Sequence, residues 1–91
     1  PAMTLSIPNP CRSFDATRSR VCFWGYDRTI EITFFVGEEV LKHLSPDMAG
    51  TEAGFLKAFD AMRDPIHEIA GKAYAHADKG SIACLLAAED I

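Results

Sequence analysis

Two segments of alternating character, Arg20-Val21-Cys22-Phe23-Trp24-Gly25-Tyr26 and Thr29-Ile30-Glu31-Ile32-Thr33-Phe34-Phe35-Val36, are separated only by Asp27-Arg28. Residues two apart share one face of a strand, and strands joined this closely pair as antiparallel neighbours, so the stretch reads as a β-hairpin. With residues 27 and 28 as the turn, residue 26 faces 29, 24 faces 31 and 22 faces 33. One side of the ribbon then carries Val21, Phe23, Ile30, Ile32, Phe34 and Val36. The other carries Cys22, Trp24, Tyr26 and Phe35 among Thr29, Glu31 and Thr33, which is too aromatic for an ordinary solvated face. That second face needs a cover, and three fit its chemistry. The amino-terminal segment with Leu5, Ile7 and Phe14, or the last strand, folds across it. A second copy packs on it, since interface cores favour Trp, Tyr and Phe with few charges. Or nucleobases stack on it, which also demands a basic surround.

The flanks add a short edge strand at Leu5 to Ile7, ended by Pro8-Asn9-Pro10, and a polar loop over residues 13–17 anchored by Phe14. After Val36, Gly37 breaks the strand and Glu38-Glu39 open a short helix with Val40, Leu41 and Leu44 inward. Lys42 and His43 suit its last turn, and Ser45-Pro46 stop it. Thr51 is the expected N-cap of a long helix over residues 51–77. Its apolar stripe is Phe55, Phe59, Met62, Ile66, Ile69, Ala73 and Ala77, at steps of three and four. Pro65 removes one backbone hydrogen bond and clashes with the carbonyl of Ala61, which gives either a kinked helix or two helices with Asp64 capping the second. The stripe keeps its phase through Pro65, which favours the kink. Asp78-Lys79-Gly80 is a helix stop, and residues 81–86 read as a last strand. The fold class is α+β: an antiparallel sheet of three to four strands built on a central hairpin, with one short and one long, kinked helix packed on one face. A single domain spans residues 3–91, with Met3 as the expected start and Pro1-Ala2 as a cloning remnant.

With 91 residues, 48 % apolar and 24 % charged, the chain has the composition of one globular domain with a thin core. The net charge is −4. Residues 1–36 hold four Arg against three acids, and residues 37–91 hold five basic residues against ten acidic ones. No Lys/Arg cluster exists to hold a phosphate backbone, so nucleic acid is not an expected partner. Cys11, Cys22 and Cys84 cannot all pair within one chain, and no spacing among them resembles a CxxC element, which points to a reducing cytoplasm. The longest apolar run, residues 82–88, is far too short to span a bilayer, and no membrane partner is expected. None of the cysteines is visibly activated at a helix start, and no glycine-rich phosphate loop is present. His67 and His76, nine residues apart, fall on opposite sides of a straight helix, and the i, i+4 ligand pair is absent. No metal and no cofactor are expected.

Asp60, Arg63, Asp64, His67 and Glu68 lie at spacings of three and four on the polar flank of the long helix. They form either an acid/base cluster around a titratable histidine or a solvated face of weak ion pairs. No catalytic residue is assigned. The residues alone therefore suggest a small cytoplasmic binding or interaction module, self-associating through Cys22, Trp24, Tyr26 and Phe35, and not an enzyme. The alternative is a small enzyme or ligand sensor using Asp60, Arg63 and His67.

Ser13-Phe14-Asp15-Ala16-Thr17-Arg18, Val21, Phe23-Trp24-Gly25 with Asp27, Ile30-Glu31-Ile32, Phe34-Phe35-Val36, and then Phe59-Asp60, Arg63 and Ile66 resemble the bacterial family called domain of unknown function 1488. The likeness runs over essentially the whole chain from Met3 and is strongest in the hairpin. The resemblance implies a compact α+β domain, predominantly proteobacterial, with no assigned biochemical activity. The family turn often reads Asp-Gly where this chain has Asp27-Arg28. Arg suits a positive φ poorly, so a wider loop with Gly25 in the special conformation is expected here.

Overall fold

The computed structural model describes residues 5–7, 12–77 and 82–91. Expectations at Met3, at Pro8 and Pro10, at Cys11, at the 78–80 helix stop and at Ser81 lie outside the described residues. Along the chain run β1 (Leu5–Ser6), β2 (Arg12–Asp15), β3 (Arg20–Asp27), β4 (Ile30–Gly37), α1 (Glu38–Leu44), α2 (Glu52–Ala61), α3 (Arg63–His76) and β5 (Ala83–Leu85), with a closing 3-10 turn at Ala88–Asp90.

β3 and β4 pair antiparallel from Arg20 opposite Gly37 to Asp27 opposite Ile30, which leaves Arg28 and Thr29 as the turn. This register differs by two residues from the one expected around Asp27-Arg28. The physical reason is that Arg28 itself adopts the positive φ, 61°, that closes the hairpin. A shift of two leaves every side chain on its expected face. Val21, Phe23, Ile32, Phe34 and Val36 are all buried, but Ile30, expected in the core, is 54 % exposed because it sits beside the turn at the tip of the ribbon. Gly25 serves close approach: a Cβ there would lie 2.9 Å from the Ser6 carbonyl oxygen and 3.2 Å from the Phe34 ring.

β1 is the expected edge strand. It pairs with the far end of β3, Leu5 opposite Asp27, while β2 pairs with the near end, Arg12 opposite Phe23 through Asp15 opposite Arg20. The loop expected over residues 13–17 is thus half strand. Asp15 makes the turn that follows: Oδ1 accepts from the backbone N–H of Thr17 at 3.1 Å, Oδ2 accepts from Arg20 Nε at 3.1 Å, and Ser19 takes φ 49°. Phe14 is an anchor, as expected, with its ring edge-on to Phe55 at 5.2 Å.

α1 has the expected bounds, with Val40 and Leu41 buried and Lys42 bridging to Glu38 across one turn. Thr51 caps α2, its hydroxyl accepting from Gly54 N at 3.1 Å. The expected single kinked helix is two helices, broken at Met62 (φ −111°, ψ 27°), where the Met62 N–H turns back to the carbonyls of Ala58 and Phe59. Pro65 cannot donate to Ala61, and the chain relieves that conflict by leaving helical geometry for one residue. Asp64 lies in the first turn of α3 and no side chain caps that helix. β5 then joins β4 in parallel, Phe34 opposite Cys84, as the long return through three helices permits. The sheet is therefore mixed and five-stranded, ordered β1-β3-β4-β5 with β2 also on β3.

All three helices cover one side. Phe23 and Phe34 stack at 5.2 Å, Phe59 closes on Phe23 at 5.2 Å, and Tyr74 meets Phe34 edge-on. The Tyr74 hydroxyl also donates to Asp27, tying α3 to the end of the hairpin and raising the phenol's pKa.

Candidate functional site

The uncovered side of the sheet is built by strand register. Cys22 faces Phe35, which faces Leu85; one row on, Trp24 faces Thr33, which faces Ala83; one row further, Tyr26 faces Glu31. Cys22, Trp24, Tyr26, Thr33 and Phe35 are half-buried, and Leu85 is 59 % exposed. Leu5, Ile7 and Phe14, weighed as a cover for this face, pack against the core instead. Phe14 points inward because it pairs with Val21, and Ile7 lies against Gly25. The last strand extends the face rather than crossing it, which adds Leu85 to the surface read from Cys22, Trp24, Tyr26 and Phe35. Charges sit at its ends. Arg20 stacks its guanidinium 3.8 Å over the Phe35 ring while holding Asp15, and Tyr26 donates to Glu31 Oε2 at 3.1 Å. Burial, and then the charge of Asp15, push the Cys22 thiol up, so it is not activated as a nucleophile.

On the helix side, Asp60 and Arg63 come together as expected, Arg63 Nη2 donating to Asp60 Oδ1 at 2.7 Å. The third member is Arg12, absent from the sequence expectation, which grips both carboxylate oxygens at 3.1 and 2.9 Å. Its hydrogen bonds hold Asp60 below the usual carboxylate range. His67 lies over the Phe23 ring at 6.0 Å, with Nε2 buried and without a hydrogen-bond partner among the described residues. Burial, then the Arg63 charge, lower its pKa and keep the imidazole neutral. The cluster thus combines an ionised carboxylate clamped by two guanidiniums with a neutral, core-facing histidine.

A cleft of about 460 Å³ also opens between the end of α3 and the closing turn. His76, Cys84 and Asp90 line it, with His76 Nδ1 3.7 Å from Asp90 Oδ1. The other Asp90 oxygen accepts from Ala87 N, and burial raises the Cys84 thiol. Among the described residues no group of three or more His, Cys, Asp and Glu is placed to hold a metal ion, and no helix is long and apolar enough to cross a membrane.

A mixed sheet with helices on one side and an apolar open face on the other defines a two-layer α+β domain. The family model described as "Protein of unknown function (DUF1488)" matches residues 5–85, so the chain belongs to that family. Among solved structures it resembles a protein of unknown function from the DUF1488 family of Shewanella loihica PV-4, with TM-score 0.65 and 19 % identity over 90 % of this chain and 92 % of that one. At that identity the likeness shows the fold. No curated protein matches the chain.

Proposed function

We propose that this protein is a small bacterial, cytoplasmic interaction module that self-associates through the open face of its sheet. The observation that carries the proposal is the continuous row Cys22, Phe35, Leu85, flanked by Trp24, running across three strands on the side without helices. Interface cores have this composition, with charges held to the rim. Eight-residue β3 and β4, with shorter neighbours on both sides, give a flat area of roughly 400 Å² before side-chain relief is counted. That is the right order for the roughly 800 Å² per partner that a stable dimer buries. The other reading, a small enzyme or ligand sensor at Asp60, Arg63 and His67, has less support because Arg12 and Arg63 occupy the Asp60 carboxylate.

Light scattering across a concentration series tests the proposal. The natural chain is expected as a dimer, and Trp24→Asp as a monomer with an unchanged circular dichroism spectrum. A natural chain that stays monomeric at every concentration, or a Trp24→Asp variant with undiminished mass, overturns it.

A further inference from the structure

We propose that the free edge of β5 takes up an extended segment of a partner protein as one more antiparallel strand, with a Lys or Arg of that segment entering the cleft alongside and an apolar residue on either side of the cation. β5 ends the sheet, with β4 on one side and no strand on the other among the described residues. The Thr33 N–H donates to the Ile82 carbonyl and the Leu86 N–H to the Phe35 carbonyl, both at 2.8 Å. Residues 82, 84 and 86 therefore address β4, and the backbone N–H and C=O groups of Ala83 and Leu85 point away from the sheet. No hydrogen bond falls on those groups among the described residues. Such an edge is a template for pairing, and an antiparallel strand opposite Ala83 and Leu85 satisfies both residues completely.

The cleft fixes what that strand must carry. Cys84 turns to the buried side of β5 while Ala83 and Leu85 turn to the open side, yet all three line the cleft, so it runs along the outer edge of the strand. Ala73, Ala77 and Ala87 form its apolar wall, and its ionisable lining is His76, Glu89 and Asp90, with no Lys or Arg among the described residues. Asp90 is 9 % exposed and accepts one hydrogen bond, from Ala87 N to Oδ2, while Oδ1 has only the imidazole of the exposed His76 at 3.7 Å. A carboxylate can accept about four such bonds, so this one has capacity left for a donor that enters the cleft. An added strand alternates its side chains between the two sides of the sheet. Its residue opposite Cys84 projects toward the cleft, where an ammonium or guanidinium meets Asp90 and the methylene stem lies along the alanines. The residues before and after it project to the open side, next to Leu85, which is 59 % exposed. The edge lies beside the open face and does not depend on its self-association.

The natural chain, titrated by NMR with acetyl-Thr-Val-Lys-Val-Thr-amide and with the same peptide carrying a central Glu, provides the test. The Lys peptide is expected to slow amide exchange at Ala83 and Leu85 and to bind at least about tenfold more tightly than the Glu peptide. Methylating the two Val amides, which face β5 in the antiparallel register, weakens binding at least about tenfold, whereas methylating the Lys amide, which faces away, changes it less than about threefold. Asp90→Asn, which can still accept from Ala87, cuts the preference for Lys over Glu at least about threefold. The proposal is overturned if neither peptide slows exchange at Ala83 and Leu85, if Glu binds as well as Lys, or if binding is indifferent to which amides are methylated. Protection of the same amides that rises with protein concentration in the absence of peptide assigns the edge to a second copy and overturns it as well.

Discussion

Phe59 joins the two layers, and truncating it to Ala tests whether that junction is as closely packed as it looks. The side chain is fully buried on α2, its ring 5.2 Å from Phe23 and 4.9 Å from the Arg63 guanidinium carbon. Withdrawing a Phe side chain from water accounts for about 2 to 3 kcal/mol. The lost ring pair accounts for about 0.5 to 1.5 kcal/mol. A residual cavity adds more, because Phe23 beside it and Phe34 and Ile66 of the same core cluster are themselves fully buried and have little freedom to collapse inward. The expected loss is about 3 to 5 kcal/mol. A 91-residue domain has about 5 to 14 kcal/mol to lose, so the variant should keep well under its original urea midpoint and sit near the edge of folding. Phe59→Leu, which refills most of the space, should cost no more than about 1.5 kcal/mol. Urea melts of both variants, followed by circular dichroism, make the comparison. A loss below about 1 kcal/mol for Ala, or equal losses for Ala and Leu, refutes the packing argument.

Two further outcomes follow from the same structure. His67 is held neutral by burial and by Arg63, so the unfolded chain takes up a proton that the folded one resists as pH falls below about 6.5; its contribution to stability is full above that window and lost below it, with a limiting slope of about 1.4 kcal/mol per pH unit, and His67→Leu should flatten urea midpoints between neutral and mildly acid pH, equal slopes in the two proteins sinking the idea. Gly54→Ala should destabilise, although Ala suits a helix by about 1 kcal/mol, because its Cβ would fall 2.1 Å from the Ala49 carbonyl oxygen; a raised melting temperature would show that the 45–50 segment yields freely.

The hairpin faces were legible because a period of two survives a misplaced turn. Taking Asp27-Arg28 for the turn misplaced every partner by two residues, yet only Ile30 left the core. Helix bounds at Glu38 and at the Thr51 cap were legible because local chemistry sets them. The break at Met62 was not, since the apolar stripe keeps its phase whether the backbone bends at Pro65 or departs three residues earlier. β2 was hidden by its composition: Arg12, Ser13 and Asp15 look like loop residues, and only pairing with β3 and the Asp15 turn make them a strand. β5 is the extreme case, three residues whose parallel pairing depends on where three helices deliver them.

The same distinction separates the two candidate sites. Asp60 and Arg63 are neighbours on one helical flank and could be paired from spacing, but Arg12 reaches Asp60 from 48 residues away and converts an open carboxylate into a clamped one. That changes its chemistry: a group held ionised by two guanidiniums is a poor proton carrier at neutral pH, and the cluster then reads as a brace between β2 and α2. The outer face moved the other way. Long-range structure withdrew its expected cover, because Leu5, Ile7 and Phe14 turn into the core, and added Leu85 beside Phe35. A chain this short has little apolar surface to spare, and Trp24 and Phe35 are only half-buried while Leu85 is exposed. The surface they still expose would add stability if something apolar met it, which is why the proposed function rests on the sheet face and not on the charged helix.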